Sequence, residues 1–332
     1  MKNHPIFNIP SALVTGLFAF SFFALSIFSS ATAQSWPTRS IKILVSIPPG
    51  GAPDILARIL GDKLTQSLGQ PVVAENRPGS NGNIAGEIVA RAAPDGYTLL
   101  LCADSQIVIN PHVYAKMPFD TMTELTHIAS LASNEFFLAA NNDQPFKNFQ
   151  EFIDYARKAN PPLNYGSGGN GSQHQLTMEM LKTRAGINLT HVPYKGATPA
   201  ITAALAGEVP VLFSGSNAGP QVRAGKLRGL ATAGKKRIPA FPDVPAITEF
   251  YPGFTNSIWL GLCGPRGLPQ AVLQRLRGEI NTALGSSDVR EKFSRSGALE
   301  PLILTPEDFS AMIRADFDKY GKVVRDVGVK VD

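Results

Sequence analysis

The sequence predicts an α/β protein of two lobes, and three observations carry that prediction. Short apolar, β-branched runs alternate with segments of helical apolar spacing, the pattern of largely parallel sheets flanked by helices. A glycine-rich strand-to-helix turn occurs once in each half of the chain, at Pro48-Pro49-Gly50-Gly51 and at Gly166-Ser167-Gly168-Gly169-Asn170-Gly171-Ser172. The chain also leaves its first lobe near Asn134 and returns near Ser257, a double crossover that makes a hinge. The expected division is residues 34–134 with 258–332 for lobe 1, and 135–257 for lobe 2.

Residues 1–33 read as a signal peptide rather than as fold. Lys2 supplies a positive start, an apolar stretch spans 12–28, and Ala31-Thr32-Ala33 has the small-x-small form of a cleavage site. The rival reading, a membrane anchor, is weakened because the run is marginal for spanning and contains several Ser and Thr. Cleavage is expected after Ala33, and Gln34 is not the cysteine of a lipoprotein.

Strand 41–47 opens the mature chain, and Pro48-Pro49-Gly50-Gly51 breaks it. Ile55, Leu56, Ile59, Leu60 and Leu64 then space as a helix. Pro53 suits a first helical turn, and Asp54 places a carboxylate at the positive helix end. A strand at 71–75, a turn at 78–82, a helix at 84–91 and a strand at 97–102 follow. The last of these runs into Ala103-Asp104-Ser105. Ligands of such sheets sit beyond the carboxyl ends of strands, where both the first glycine turn and Asp104-Ser105 lie.

The second lobe reads as strand 136–140, helix 149–158, the second glycine turn and a helix over 175–183. Strand 190–192, helix 197–205, strands 209–213 and 227–232, a proline-rich loop at 238–245 and a returning strand 257–262 complete it. Two apolar stripes then mark helices. Val272, Leu273, Leu276, Ile280 and Leu284 form one; Phe309, Met312, Ile313, Phe317, Tyr320 and Val324 form the other, begun by Thr305-Pro306-Glu307-Asp308.

Several chemistries find no footing. Lys and Arg number 31 against 26 Asp and Glu, but they are scattered. The one basic run, Lys235-Lys236-Arg237, has no interleaved aromatics, so nucleic-acid binding is not indicated. Histidines are dispersed, and no CxxC or HExxH exists for a metal. Gly166-x-Gly168-x-x-Gly171 matches a dinucleotide fingerprint formally. The next strand, however, ends in Pro193-Tyr194-Lys195, with no acidic residue for a ribose. Neither GxxxxGK[ST] nor GxSxG occurs. The alternative function, a hydrolase or other enzyme on a two-lobe α/β scaffold, therefore has no motif behind it. Cys102 and Cys263 each end an apolar strand-like run. An oxidising compartment permits their pairing, and the reading favours two unpaired core thiols.

The glycine turns are anion-friendly helix starts, one per lobe, as for two lobes closing on one small ligand. The string from Pro48 to Arg58, together with Glu75-Asn76-Arg77-Pro78-Gly79, Asn164-Tyr165-Gly166-Ser167 and His191-Val192-Pro193-Tyr194-Lys195-Gly196, resembles the Bug family. Its members are periplasmic solute-binding receptors associated with tripartite tricarboxylate transporters. The resemblance implies a two-lobe periplasmic-binding-protein fold, type II-like, without catalysis or cofactor. It also implies a monomer in the periplasm that takes a small organic carboxylate in the cleft and meets membrane transporter subunits or a sensory partner. Carried over by motif, contacts are expected from Gly50, Gly51, Ala52, Asp54 and Ser105 in lobe 1, and from Ser167, Gly168 and Ser172 in lobe 2. Pro210 stands where the family commonly has Asp, residues 214–217 depart from the usual loop, and Asp104 adds a carboxylate near the site. These departures leave room for a monocarboxylate or an aromatic acid.

Overall fold

The computed structural model describes Met1 and residues 36–215, 217–296 and 299–331. Apart from Met1, the expected signal peptide lies outside the described residues. The chain forms two compact units, Met1–Thr38 and Arg39–Asp332, and every element named below belongs to the second.

In chain order these are β1 (Ile41–Val45), α1 (Ala52–Leu68), β2 (Val72–Asn76), α2 (Asn83–Ala90) and β3 (Thr98–Ala103). A π-helical turn, Ser105–Ile109, leads into the short α3 (Asn110–Val113), and β4 (Leu125–Glu135) follows. Next come β5 (Phe137–Asn141), α4 (Phe149–Lys158), β6 (Leu163–Ser167), α5 (Gln173–Ala185), β7 (Leu189–Pro193), α6 (Ala197–Leu205), β8 (Val211–Ser214), α7 (Gly219–Arg223) and β9 (Leu227–Thr232). The chain ends through β10 (Ser257–Pro265), α8 (Gln270–Gly285), α9 (Ser287–Ser296), β11 (Leu299–Pro301) and α10 (Pro306–Val327).

Local chemistry sets the ends of these elements. Asn148 caps α4 by accepting the Glu151 N–H at 2.9 Å, and Thr305 caps α10 by accepting the Asp308 N–H at 3.1 Å. Gly69 ends α1 in a left-handed conformation, φ 70°, which costs glycine nothing.

Two sheets result. One has the order β11-β4-β10-β3-β1-β2 and the other β7-β6-β8-β5-β9. Strands β1, β2 and β3 pair in parallel, as do β6, β7 and β8. The sheets are nevertheless mixed. β10 runs antiparallel to both β3 and β4, and β5 antiparallel to both β8 and β9. These are the strands by which the chain enters one sheet from the other, and no covering helix forces them into the parallel sense. The five-stranded sheet buries both faces. Leu138 and Ala140 pack with Phe149, Phe152 and Phe213 on one side, while Phe137 and Ala139 pack with Leu212, Ile201 and Phe241 on the other. Each such fully buried Phe or Leu contributes about 1.5–3 kcal/mol.

The two crossings lie side by side, Ser257 opposite Glu135 and Ile258 opposite Asn134. β4 is the longest strand of its sheet and was not legible in the sequence. Leu125-Thr126-His127-Ile128-Ala129-Ser130-Leu131 carries no period-two pattern because helices cover it on both sides.

One expectation is corrected. Cys102 and Cys263 are not unpaired thiols but a disulfide, with Cα atoms 6.1 Å apart. Both cysteines close apolar runs, but β10 is antiparallel to β3 and overlaps it only over Leu260–Cys263 against Ala103–Leu100. That short overlap brings the two side chains within bonding reach.

Candidate ligand-binding cleft

At the first glycine turn, Gly50 adopts φ +92°, and its N–H donates to Asp54 Oδ2 at 3.0 Å. The first intrahelical bond of α1 runs from the Ile55 N–H to Gly51 O, at 3.0 Å. The Ala52 and Asp54 N–H groups therefore precede the helical ladder, and Pro53 has no N–H. The Asp54 carboxylate is buried, 4% exposed. It accepts Arg58 Nη2 and Asn76 Nδ2, both at 2.9 Å, and Arg58 Nε at 3.2 Å. Burial pushes its pKa up, but the hydrogen bonds from Arg58, the Gly50 N–H and Asn76 outweigh burial and hold it below the usual carboxylate range.

At the second turn, the Gly169 N–H donates to Ser167 Oγ at 3.0 Å and the Gly171 N–H to Gln175 Oε1 at 2.8 Å. Ser172 caps α5, its Oγ accepting the Gln175 N–H at 3.3 Å while its carbonyl takes the Leu176 N–H. The Gln173 and His174 N–H groups are thus the ones ahead of this ladder. Ser167 is fully buried, with its Oγ at 2.5 Å from His191 Nε2. A side chain on Gly168 would place its Cβ 2.9 Å from His174 Nδ1, so the close passage of turn and imidazole requires glycine.

Between these turns lies a cavity of ≈410 Å³. One sheet contributes Ile47, Pro48, Pro49, Gly51, Ala52, Pro53, Asn81, Ala103 and Ser105. The other contributes Gly168, Ser172, Gln173, His174, Lys195, Thr198, Pro199, Gly215 and Asn217, and the paired crossings add Asn134, Ile258 and Leu260. Of the residues expected from sequence, Gly51, Ala52, Ser105, Gly168 and Ser172 line it. Gly50, Asp54 and Ser167 do not; their polar groups hold the turns from behind. Asp104 is also displaced from its expected place. Its neighbours Ala103 and Ser105 face the cavity, while its own carboxyl is fully buried behind them.

Sequence reasoning passed over Asn81, Asn134, Gln173 and Asn217. Asn81 sits in a turn at φ +49°, where asparagine reads simply as a turn residue. Gln173 lacks any motif of its own.

Lys195 is the only charged side chain on the lining among the described residues. Burial pushes His174 down to about 4, and its ring stands edge-on to Phe136 with centroids 5.2 Å apart. At neutral pH it is an uncharged wall. Among the described residues, no group of three His, Cys, Asp or Glu is placed to hold a metal ion. The cleft thus offers apolar walls, amides, one ammonium and two helix starts, a set suited to an organic anion.

The paired strands β4 and β10 also form the wall of a second cavity, of ≈590 Å³. Asn134, Ile258 and Leu260 face the cleft, whereas Ser133, Glu135, Ser257 and Trp259 face the other way. This is the two-residue alternation of a strand. Burial, with the Glu300 carboxylate adding to it, pushes the Glu135 carboxyl up to about 7.

Comparison with known proteins agrees with this geometry. Residues 56–329 match the family described as tripartite tricarboxylate transporter family receptor. Protein BugT of Bordetella pertussis is 32% identical over 308 residues, covering 92% of this chain and 94% of the relative. An R. palustris protein solved with adipate superposes with a TM-score of 0.84 at 32% identity, over 89% of this chain and 99% of that one. MatC from Rhodopseudomonas palustris with bound malate gives 0.78 at 30% identity, over 87% and 100%. With a family match over most of its length, the chain belongs to the tripartite tricarboxylate transporter family of receptors.

Proposed function

We propose that this protein is a periplasmic solute-binding receptor that captures a small organic carboxylate between its two lobes and presents it to membrane transporter subunits or a sensory partner. The observation that carries the reading is the cleft itself. Helix starts from both lobes open onto one cavity whose lining, among the described residues, holds a single ammonium and no carboxylate. Adipate and malate in two relatives point to the same ligand class. The adjacent crossings, Glu135 beside Ser257 and Asn134 beside Ile258, supply a ribbon about which the lobes close.

A thermal-shift panel of mono-, di- and tricarboxylates, aromatic acids, amino acids, sugars and polyamines tests this. A ligand at a hundredfold excess over Kd stabilises by about 2.7 kcal/mol. At about 2–4 °C per kcal/mol, carboxylates should raise Tm by several degrees. Shifts confined to sugars or polyamines would refute the assignment.

A further inference from the structure

Four buried polar residues close a hydrogen-bonded circuit behind the cleft. Gln173 and Thr177 lie one turn apart on α5, Tyr320 comes from α10, and Asn256 stands immediately before the crossing at Ser257. Each is at most 2% exposed. Gln173 Nε2 donates to Tyr320 Oη at 2.6 Å, and Tyr320 Oη donates to Asn256 Oδ1 at 2.7 Å. Asn256 Nδ2 donates to Thr177 Oγ1 at 2.6 Å, and Thr177 Oγ1 donates to the Gln173 carbonyl at 2.7 Å. The circuit thus begins and ends on Gln173, a lining residue of the cleft.

Its sense is fixed at two points. The Ser257 carbonyl can only accept, and it lies 3.2 Å from the Gln173 amide nitrogen, so Nε2 faces that side. The Lys319 ammonium can only donate, and it lies 3.3 Å from the Asn256 amide oxygen, so Oδ1 faces it. Tyr320 sits between a nitrogen that donates and an oxygen that accepts, so its hydroxyl takes one bond and gives the other. Thr177 is held in the same way between Asn256 Nδ2 and the Gln173 carbonyl. Bonds aligned head to tail polarise one another, and a buried group dropped from such a circuit is costly.

The circuit joins parts built on different sheets. α10 packs on the six-stranded sheet through Phe309, Ile313 and Tyr320, beside Leu100 and Cys102. α5 packs on the five-stranded sheet through Met178 and Leu181, beside Tyr165 and Val211, while its Leu176 reaches the other core. Asn256 is tied just past β9, its N–H donating to the Ala233 carbonyl at 2.7 Å. We propose that Tyr320 is a positioning residue for the cleft. Its hydroxyl ties the start of α5 to α10 and to the crossing, and so fixes where Ser172, Gln173 and His174 stand on the lining. Tyr320 itself is not on the lining.

Two measurements on the full mature chain test this role. Hydrogen exchange read by mass spectrometry needs no ligand and is independent of the receptor reading. Tyr320→Phe keeps the aromatic ring and removes only the hydroxyl. Thr305→Ala is the control, because it removes the cap of α10 and leaves the circuit whole. Exchange across 172–178 should be about fivefold faster in Tyr320→Phe than in Thr305→Ala, the equivalent of one lost hydrogen bond to a buried group. Equal exchange in the two variants would overturn the proposal. The second measurement, calorimetric titration with malate and adipate, rests on the carboxylate-receptor reading. Tyr320→Phe should bind about fivefold more weakly, and Thr305→Ala as the wild type does. Thr177→Val opens the same circuit elsewhere, so adding it to Tyr320→Phe should weaken binding little beyond the larger single effect. Wild-type affinity in Tyr320→Phe, an equal loss in Thr305→Ala, or losses that multiply in the double variant would each sink the proposal. If neither acid binds the wild type, the receptor reading fails, and the exchange pattern decides whether Tyr320 positions α5.

Discussion

Arg58 grips the Asp54 carboxylate on both oxygens, Nη2 to Oδ1 at 2.9 Å and Nε to Oδ2 at 3.2 Å, one helical turn away. The carboxylate is thereby turned into the Gly50 loop and off the lining of the cavity. Asp54→Ala should lower stability by about 1–3 kcal/mol, the cost of stranding its partners. Ligand affinity should fall less than stability does. Because the folded-state pKa is depressed, this stabilisation is present above the ordinary carboxylate range and is lost as pH falls through it. Urea unfolding of wild type and variant, at neutral and acid pH, reads both effects. Normal stability with abolished binding would instead make Asp54 a ligand contact.

Ser172 is both cap and lining residue. Ser172→Ala removes the acceptor for the Gln175 N–H and should cost about 1 kcal/mol of stability. It also moves the helix start that faces the cavity, so the affinity for malate or adipate should drop beyond that amount. Ser172→Asn, which restores a cap, should recover stability more than affinity. Parallel denaturant and binding titrations separate the two roles.

The Cys102–Cys263 bridge closes a loop of 161 residues in sequence. Replacing both cysteines with alanine should cost about 2–4 kcal/mol, read as a lower denaturation midpoint. Both sulfurs are fully buried, so a reductant should act on the wild type only after unfolding. A thiol assay on denatured, unreduced protein should find no free cysteine.

Glu135 lies at the first crossing with its carboxyl pushed up to about 7. A raised acid pKa means that the folded state favours the proton. The contribution to stability is full below the ordinary carboxylate range and is lost as pH rises toward about 7. Glu135→Gln should flatten the stability profile across that interval. If wild type and variant track each other there, the crossing does not hold a proton.

The sequence carried much of this architecture because local signals agreed with the tertiary outcome. Pro53, Gly69 and Thr305 set helix ends by their own backbone chemistry, and the helical spacing of Phe309, Ile313, Tyr320 and Val324 matches the buried face of α10. The glycine turns marked the cleft for the same reason. β4 was hidden because its pattern is set by neighbours on both faces. The roles of Asp54 and Ser167 were hidden because a polar side chain beside a turn can face a ligand or tie down its own backbone, and only the partners Arg58 and His191 decide which. The cysteines were misread because their pairing depends on where an antiparallel strand from the far end of the chain overlaps β3.

The same bridge has a mechanical consequence. It roots β10 to β3 at Cys263, whereas Ser257, at the other end of the strand, borders the crossing. β10 is thus a rail held by β4 along its whole length, with the bridge adding a covalent anchor to β3 at the end away from the crossing. Because both sulfurs are buried, this anchor is set when the bridge forms during folding and is shielded afterwards from reductants outside.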